Sequence, residues 1–136
     1  MHERILSLAD ALTRAVSTDN EKEYSRRYHE LEALCEEAMR AGQAQPFYFE
    51  TLADFTLDDE EALDIYEQAL GLADGPSHVD SRVSILLAIA ERYRELDDAE
   101  AALGYAREAD KSAAQVTDEA LKRDLAEFLS SMENAG

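Results

Sequence analysis

Residues 77–113, SHVDSRVSILLAIAERYRELDDAEAALGYAREADKSA, decide the fold. Val83, Leu86, Leu87, Ala90 and Tyr93 recur at helical spacing, so they fall along one stripe. Ser77 follows Gly75-Pro76 and is placed to cap the first helix, with Asp80 at the third position after it. A second helix starts at Asp97 or Asp98. Its apolar stripe is Ala99, Ala102, Leu103, Ala106, Ala109 and Ala113. Most of these are small, and small residues let two helix axes approach closely. The stretch predicts two helices packed back to back across the turn Leu96-Asp97-Asp98.

With Tyr93 as the first-helix aromatic, Leu86, Ile89 and Ala90 upstream, and Ala102 and Ala109 on the second helix, the hairpin resembles a tetratricopeptide repeat. It departs from that pattern in three ways. Asp97 stands at the usual turn glycine, Ala106 at the usual aromatic, and no closing proline follows. A related segment lies 40 residues upstream, where Ala62-Leu63, Ala69 and Ala73 align with Ala102-Leu103, Ala109 and Ala113. Tyr66 there supplies the aromatic that Ala106 lacks. Phe49, Leu52 and Ala53 resemble the first-helix pattern, with Thr56 in place of its aromatic and a shorter turn. Repeated helix pairs imply stacking into a solenoid.

The remaining helices follow from the same periodicity. Residues 2–16 carry Ile5, Leu8, Ala9, Leu12 and Val16 on one face. Ser17-Thr18-Asp19-Asn20 stops that helix and starts the next, over residues 21–41, with a seam of Tyr24, Tyr28, Leu31, Leu34, Cys35, Ala38 and Met39. Arg26 and Arg27 are spaced to pair with Glu23 or Glu30. Pro46 suits the first position of a third helix. Asp58 with Glu61 forms a capping pair for a fourth, which Gly75-Pro76 closes. Thr117 is placed to cap a seventh helix, with Val116 stapled onto Leu121. Residues 133–136 are expected to fray. The expectation is an all-α single domain over residues 1–136: seven antiparallel helices, as three hairpins and a C-terminal capping helix in a TPR-like α-solenoid.

Composition bounds the class. A chain of 136 residues, 46% of them hydrophobic, can bury a core, and two prolines and five glycines suit long helices. Val and Ile are scarce beside Ala, Leu and Glu, which disfavours a sheet. No apolar run reaches the roughly 18 residues of a membrane span. The N-terminal stretch MHERILSLADALTRAV lacks the basic start and continuous apolar centre of a signal peptide, and the lone Cys35 has no internal disulfide partner. A cytoplasmic location is the resulting expectation.

The charge balance is 31 acids against 13 Lys and Arg, a net −18. Such a charge opposes nucleic acid and anionic membranes and favours a basic protein or peptide partner. Between Arg40 and Arg82 there is no Lys or Arg, yet the interval holds ten acids and five of the ten aromatics. Uncompensated charge self-repels, so a stretch that keeps it is a candidate for meeting positive charge from outside. Phe47, Tyr48 and Phe49 are consecutive, and at about 100° per residue one helix face cannot bury all three. One of them is expected at a rim, where aromatics act as anchors. Phe47, Tyr48, Glu50, Asp54, Asp58, Asp59 and Glu61 are therefore candidate partner-binding residues. The repeat resemblance implies a groove lined by first-helix residues. By register these are Phe47, Glu50 and Asp54, then Ser84, Leu87, Glu91 and Arg94.

Catalytic chemistry has little to stand on. His2, His29 and His78 are scattered, and His29 with Glu32 is two ligands where a metal site needs three or four. Asp58-Asp59-Glu60-Glu61 lacks the alternation and central glycine of a calcium loop. No phosphate-binding glycine loop or nucleophile motif is present. No cofactor, no metal and no enzymatic activity are expected. Size, charge and the acidic-aromatic stretch are similar in type to immunity proteins that neutralise a toxin, and to dedicated chaperones. The rival expectation is a self-associating structural scaffold or adaptor, a homo-oligomer pairing through helix 1 or helix 7.

Overall fold

The computed structural model describes residues 1–135. Among them the chain is all-helical, with no strand: α1 (His2–Ser17), α2 (Glu21–Arg40), α3 (Pro46–Asp54), α4 (Asp59–Leu72), α5 (Val79–Glu95), α6 (Ala99–Asp110) and α7 (Glu119–Ala135). Short 3-10 turns occupy Pro76–His78 and Ala113–Gln115. No helix is long and apolar enough to cross a membrane among the described residues. Of the tail expected to fray, Glu133 to Ala135 continue α7, and Gly136 lies outside the described residues. The chain divides into two compact units, Met1–Ala69 and Leu70–Gly136, with the boundary inside α4.

In the first unit α1 packs on α2 and both touch α3. Ile5, Leu8, Leu12 and Ala15 of α1 are buried, as are Leu31, Leu34, Cys35 and Ala38 of α2, and Tyr48, Phe49, Leu52 and Ala53 of α3. Each fully buried Leu or Ile side chain stabilises the fold by roughly 1.5–3 kcal/mol. One end of the α1 stripe differs from expectation. Ala15 is buried and Val16 is 64% exposed, because the buried face passes from Leu12 to Ala15 and leaves Val16 a further 100° round the helix. Met39 is likewise exposed where the seam of α2 was expected to continue. Ala62, Tyr66 and Ala69 of α4 are buried, and the Tyr66 hydroxyl donates to the Asp54 carboxylate of α3.

In the second unit α5 lies close against α6, and α7 touches both. Ala90 of α5 and Ala102, Ala106 and Ala109 of α6 are completely buried, so the contact is made by methyl groups and the axes can come near. Val83, Leu86, Leu87, Val116, Leu125 and Phe128 complete this core. Val116 is buried in this core and Leu121 is partly buried against it, but with Asp118 as the cap of α7 the two no longer occupy the positions of a hydrophobic staple. Tyr93 and Tyr105 stack at 5.4 Å between centroids.

The turns α1–α2 and α5–α6 are built alike. Asp19 (φ 53°) and Asp97 (φ 60°) both adopt the left-handed conformation that ends a helix. The next amide donates back across the turn in each, Asn20 N to Ala15 O and Asp98 N to Tyr93 O, both at 2.9 Å. The side chains of Asn20 and Asp98 then cap the following helices, accepting from Glu23 N and Ala101 N at 3.1 Å.

Two capping expectations are corrected. Ser77 lies in the 3-10 turn Pro76–His78, and α5 starts at Val79 with no side-chain cap. Thr117 does not cap α7. Asp118 does so, accepting from Ala120 N at 3.0 Å and Leu121 N at 3.3 Å. The second has a visible cause. The Asp80 carboxylate is engaged by Thr117, whose N and Oγ1 donate to it at 3.0 and 2.7 Å. The Thr117 hydroxyl, then its amide, hold the Asp80 carboxyl below the usual carboxylate range.

Asp97→Val should cost about 1–2 kcal/mol in urea unfolding, because a β-branched residue resists the left-handed region. Asp97→Gly should stay within about 0.5 kcal/mol of the parent, since relief of that strain is offset by unfolded-state entropy. Equal stabilities for the Val and Gly variants would contradict the turn geometry. Asp80→Asn should lower the melting temperature at neutral pH. A lowered carboxyl pKa contributes stability that is present above the unfolded value, about 3.9. The gap from the parent should therefore close as the pH falls through the lowered folded value.

Candidate functional site

The acid-rich interval occupies α3, the loop Phe55-Thr56-Leu57-Asp58 and α4, and the loop sets its geometry. Two α2 side chains hold it. Tyr24 and Tyr28 are four residues apart, hence on one helix face. The Tyr24 hydroxyl donates to the Phe55 carbonyl. Thr56 Oγ1 spends its hydrogen on Leu52 O at 2.8 Å, so Tyr28 is the donor in its 2.7 Å bond to Thr56 Oγ1. Burial pushes the Tyr28 phenol above its ordinary pKa. Thr56 is buried, while the next residue, Leu57, is 80% exposed.

Leu57 stands over a cleft with two adjoining lobes. The first, about 370 Å³, has Val16, Tyr24 and Leu57 as its apolar lining and Asp19 and Glu21 at its edge. The second, about 330 Å³, is lined by Tyr24, Tyr28, Phe55 and Leu57, with Asp58, Glu61 and His29 around it. No lysine or arginine lines either lobe. An isolated exposed Leu is unremarkable, but Leu57 and Val16 share one lobe with a tyrosine, and that makes a patch. A leucine left in water forgoes roughly 1.5–3 kcal/mol of burial, which a partner covering it would recover.

The sequence candidates fare unequally. Asp58 and Glu61 lie at the second lobe. Asp58 also caps α4, accepting from Glu61 N at 3.0 Å, and Asp54 holds the Tyr66 hydroxyl, so both acids have structural tasks. Glu50 and Asp59 are half-buried. Of the three consecutive aromatics, Phe49 and Tyr48 are buried, and Phe47 is the one at the rim, its ring 4.9 Å from that of His2. Tyr48 thus serves the core, and its carbonyl accepts from the Cys35 thiol at 3.4 Å. Leu87, Glu91 and Arg94 belong to the second unit. Leu87 is buried in that unit's core, which leaves little of it for a partner. Arg94 lies over the Phe128 ring at 4.6 Å, and Glu91 is exposed.

Val16, Tyr24 and Leu57 were not among the sequence candidates. Val16 and Tyr24 read as helix seam, and Leu57 carried one local signal, an apolar residue between a threonine and an acidic run. Among the described residues no three His, Cys, Asp or Glu side chains come together to hold a metal ion. No protein-family model matches the chain, and neither a curated protein nor a solved structure is significantly similar to it.

Cys35 is completely buried, and burial raises its pKa to about 12. It should stay a thiol through pH 9 and resist a disulfide reagent in the native state, reacting only on unfolding in denaturant. Rapid native labelling would show that α2 and α3 open readily there.

Proposed function

We propose that this chain is a non-enzymatic binding module that masks a basic protein partner, in the manner of an immunity protein or a dedicated chaperone. One observation carries the reading: an exposed apolar cleft rimmed by Asp19 and Glu21 from the α1–α2 turn and by Asp58 and Glu61, the latter two from a stretch without a lysine or arginine, residues 41 to 81. Carboxylates that are not neutralised from within attract a cationic surface and speed its encounter. Apolar area beside them gives the encounter something to bury.

The architecture proposed with it is a TPR-like array of antiparallel hairpins. Asp97, at the position of the repeat's turn glycine, has φ 60°, the conformation that a glycine there would provide. Ala62, Tyr66 and Ala69 are buried, as are Ala102, Ala106 and Ala109 at the 40-residue offset. These agreements support the repeat reading at α4 and α6.

The test is capture of a partner from the source lysate at low salt, followed by elution in a salt gradient. A single stoichiometric basic protein is expected. Glu60, Glu61 and Asp64 are exposed and suit charge reversal better than Asp54 or Asp58, whose replacement would also disturb α4. Replacing all three by lysine should slow association by about tenfold or more at low salt and flatten its salt dependence. Unchanged kinetics would sink the reading. Concentration-dependent self-association with no heterologous partner would favour a scaffold instead.

A further inference from the structure

The proposed function leaves open which surface a partner meets and what it must present there. We infer that the cleft beside Leu57 is the docking site, and that its occupant is a partner segment with large apolar side chains flanked by lysine or arginine. The inference rests on the basic-partner reading and narrows it.

Three features of the cleft select that chemistry. First, Val16 and Leu57 are 64% and 80% exposed and line the same lobe with Tyr24, so the floor is apolar and open. Second, the two lobes have Tyr24, Ser25 and Leu57 in common, and each is large enough for about one bulky side chain. A segment with two apolar residues on one face would fill both. Third, the rim carries Glu21 beside one lobe and Asp58 and Glu61 beside the other, with no lysine or arginine on either. An acidic segment would be repelled by those carboxylates and a purely apolar one would bring them no counter-charge, whereas flanking cations would meet them. The loop bearing Leu57 is held to α2 by the Tyr24 and Tyr28 hydroxyls, so part of the ordering cost of binding is already met.

The probes are two fluorescent synthetic peptides of equal charge and length, one of leucine and lysine at helical spacing and one of glycine and lysine. They are titrated into the full chain at low salt with anisotropy as the readout. The leucine peptide should bind at least about tenfold more tightly than the glycine peptide. The double variant Val16→Ser, Leu57→Ser should erase that preference and leave the glycine peptide's affinity unchanged. Both positions are exposed, so the fold should survive, and an unchanged thermal melt by circular dichroism verifies it. A leucine preference that persists in the double variant would overturn the cleft as the site. Equal binding of both peptides, lost on reversing Glu60, Glu61 and Asp64, would also overturn it and leave the basic-partner reading standing. Failure of both peptides to bind at low salt would overturn the cleft and count against the basic-partner reading as well.

Discussion

Two hydroxyl groups, on Tyr24 and Tyr28, determine the shape of the candidate surface. A chain leaving a helix has carbonyls with no intrahelical partner, and α3 ends against other elements where water has limited access. The Phe55 carbonyl accepts from Tyr24, and Tyr28 donates to Thr56 Oγ1, which donates to Leu52 O. The short run from Phe55 to Asp58 is therefore fastened at two successive residues before Asp58 caps α4. Thr56 is drawn inward and the next residue, Leu57, faces out. The exposed leucine thus stands directly beside the residue whose hydroxyl is tied down.

Charge is the second constraint, and the ion pairs show where its compensation goes. On α2, Glu23 binds Arg26 and Arg27, and Arg27 also reaches Glu30 at 3.2 Å. The Arg27 hydrogen bond is the largest influence holding the Glu23 carboxyl below its usual pKa. Lys111 meets Glu108, and Lys122 meets Glu119. All are pairs three or four residues apart on a single helix, where solvent screening leaves each a weak contribution. The basic residues of these pairs thus serve their own helix surface. None lies between residues 41 and 81, so no acid of α3 or α4 has a lysine or arginine three or four residues away on its own helix.

Helix existence was legible because its signals are local. Pro46, Asp58, Asp98 and Asn20 mark helix starts by chemistry that acts within three residues, and each stands where that chemistry places it. Thr117 carried an equally good local signal and does not cap, because it donates to Asp80, 37 residues away. A contact of that separation leaves no mark in a periodicity. Val16 and Ala15 illustrate a finer limit. One residue's rotation at a helix end decides which side chain is covered, and that depends on the neighbouring element. The acidic character of the site was plain in the sequence. Its apolar floor was not, because it is assembled from the end of α1, the start of α2 and the α3–α4 loop.

These constraints give the proposed surface two forces of different reach. Field from the carboxylates at its rim extends about 10 Å at 0.1 M salt and would set the rate of encounter. Contact with Leu57 and Val16 acts only once water is excluded, and governs how long a partner stays. Charge alone would hold any cationic surface loosely, and an apolar patch alone would invite self-association. Together on one cleft they discriminate, because a segment must satisfy both at once. Composition bears only on the charge of the proposed partner, while the cleft itself takes shape where the Tyr24 and Tyr28 hydroxyls fix the loop.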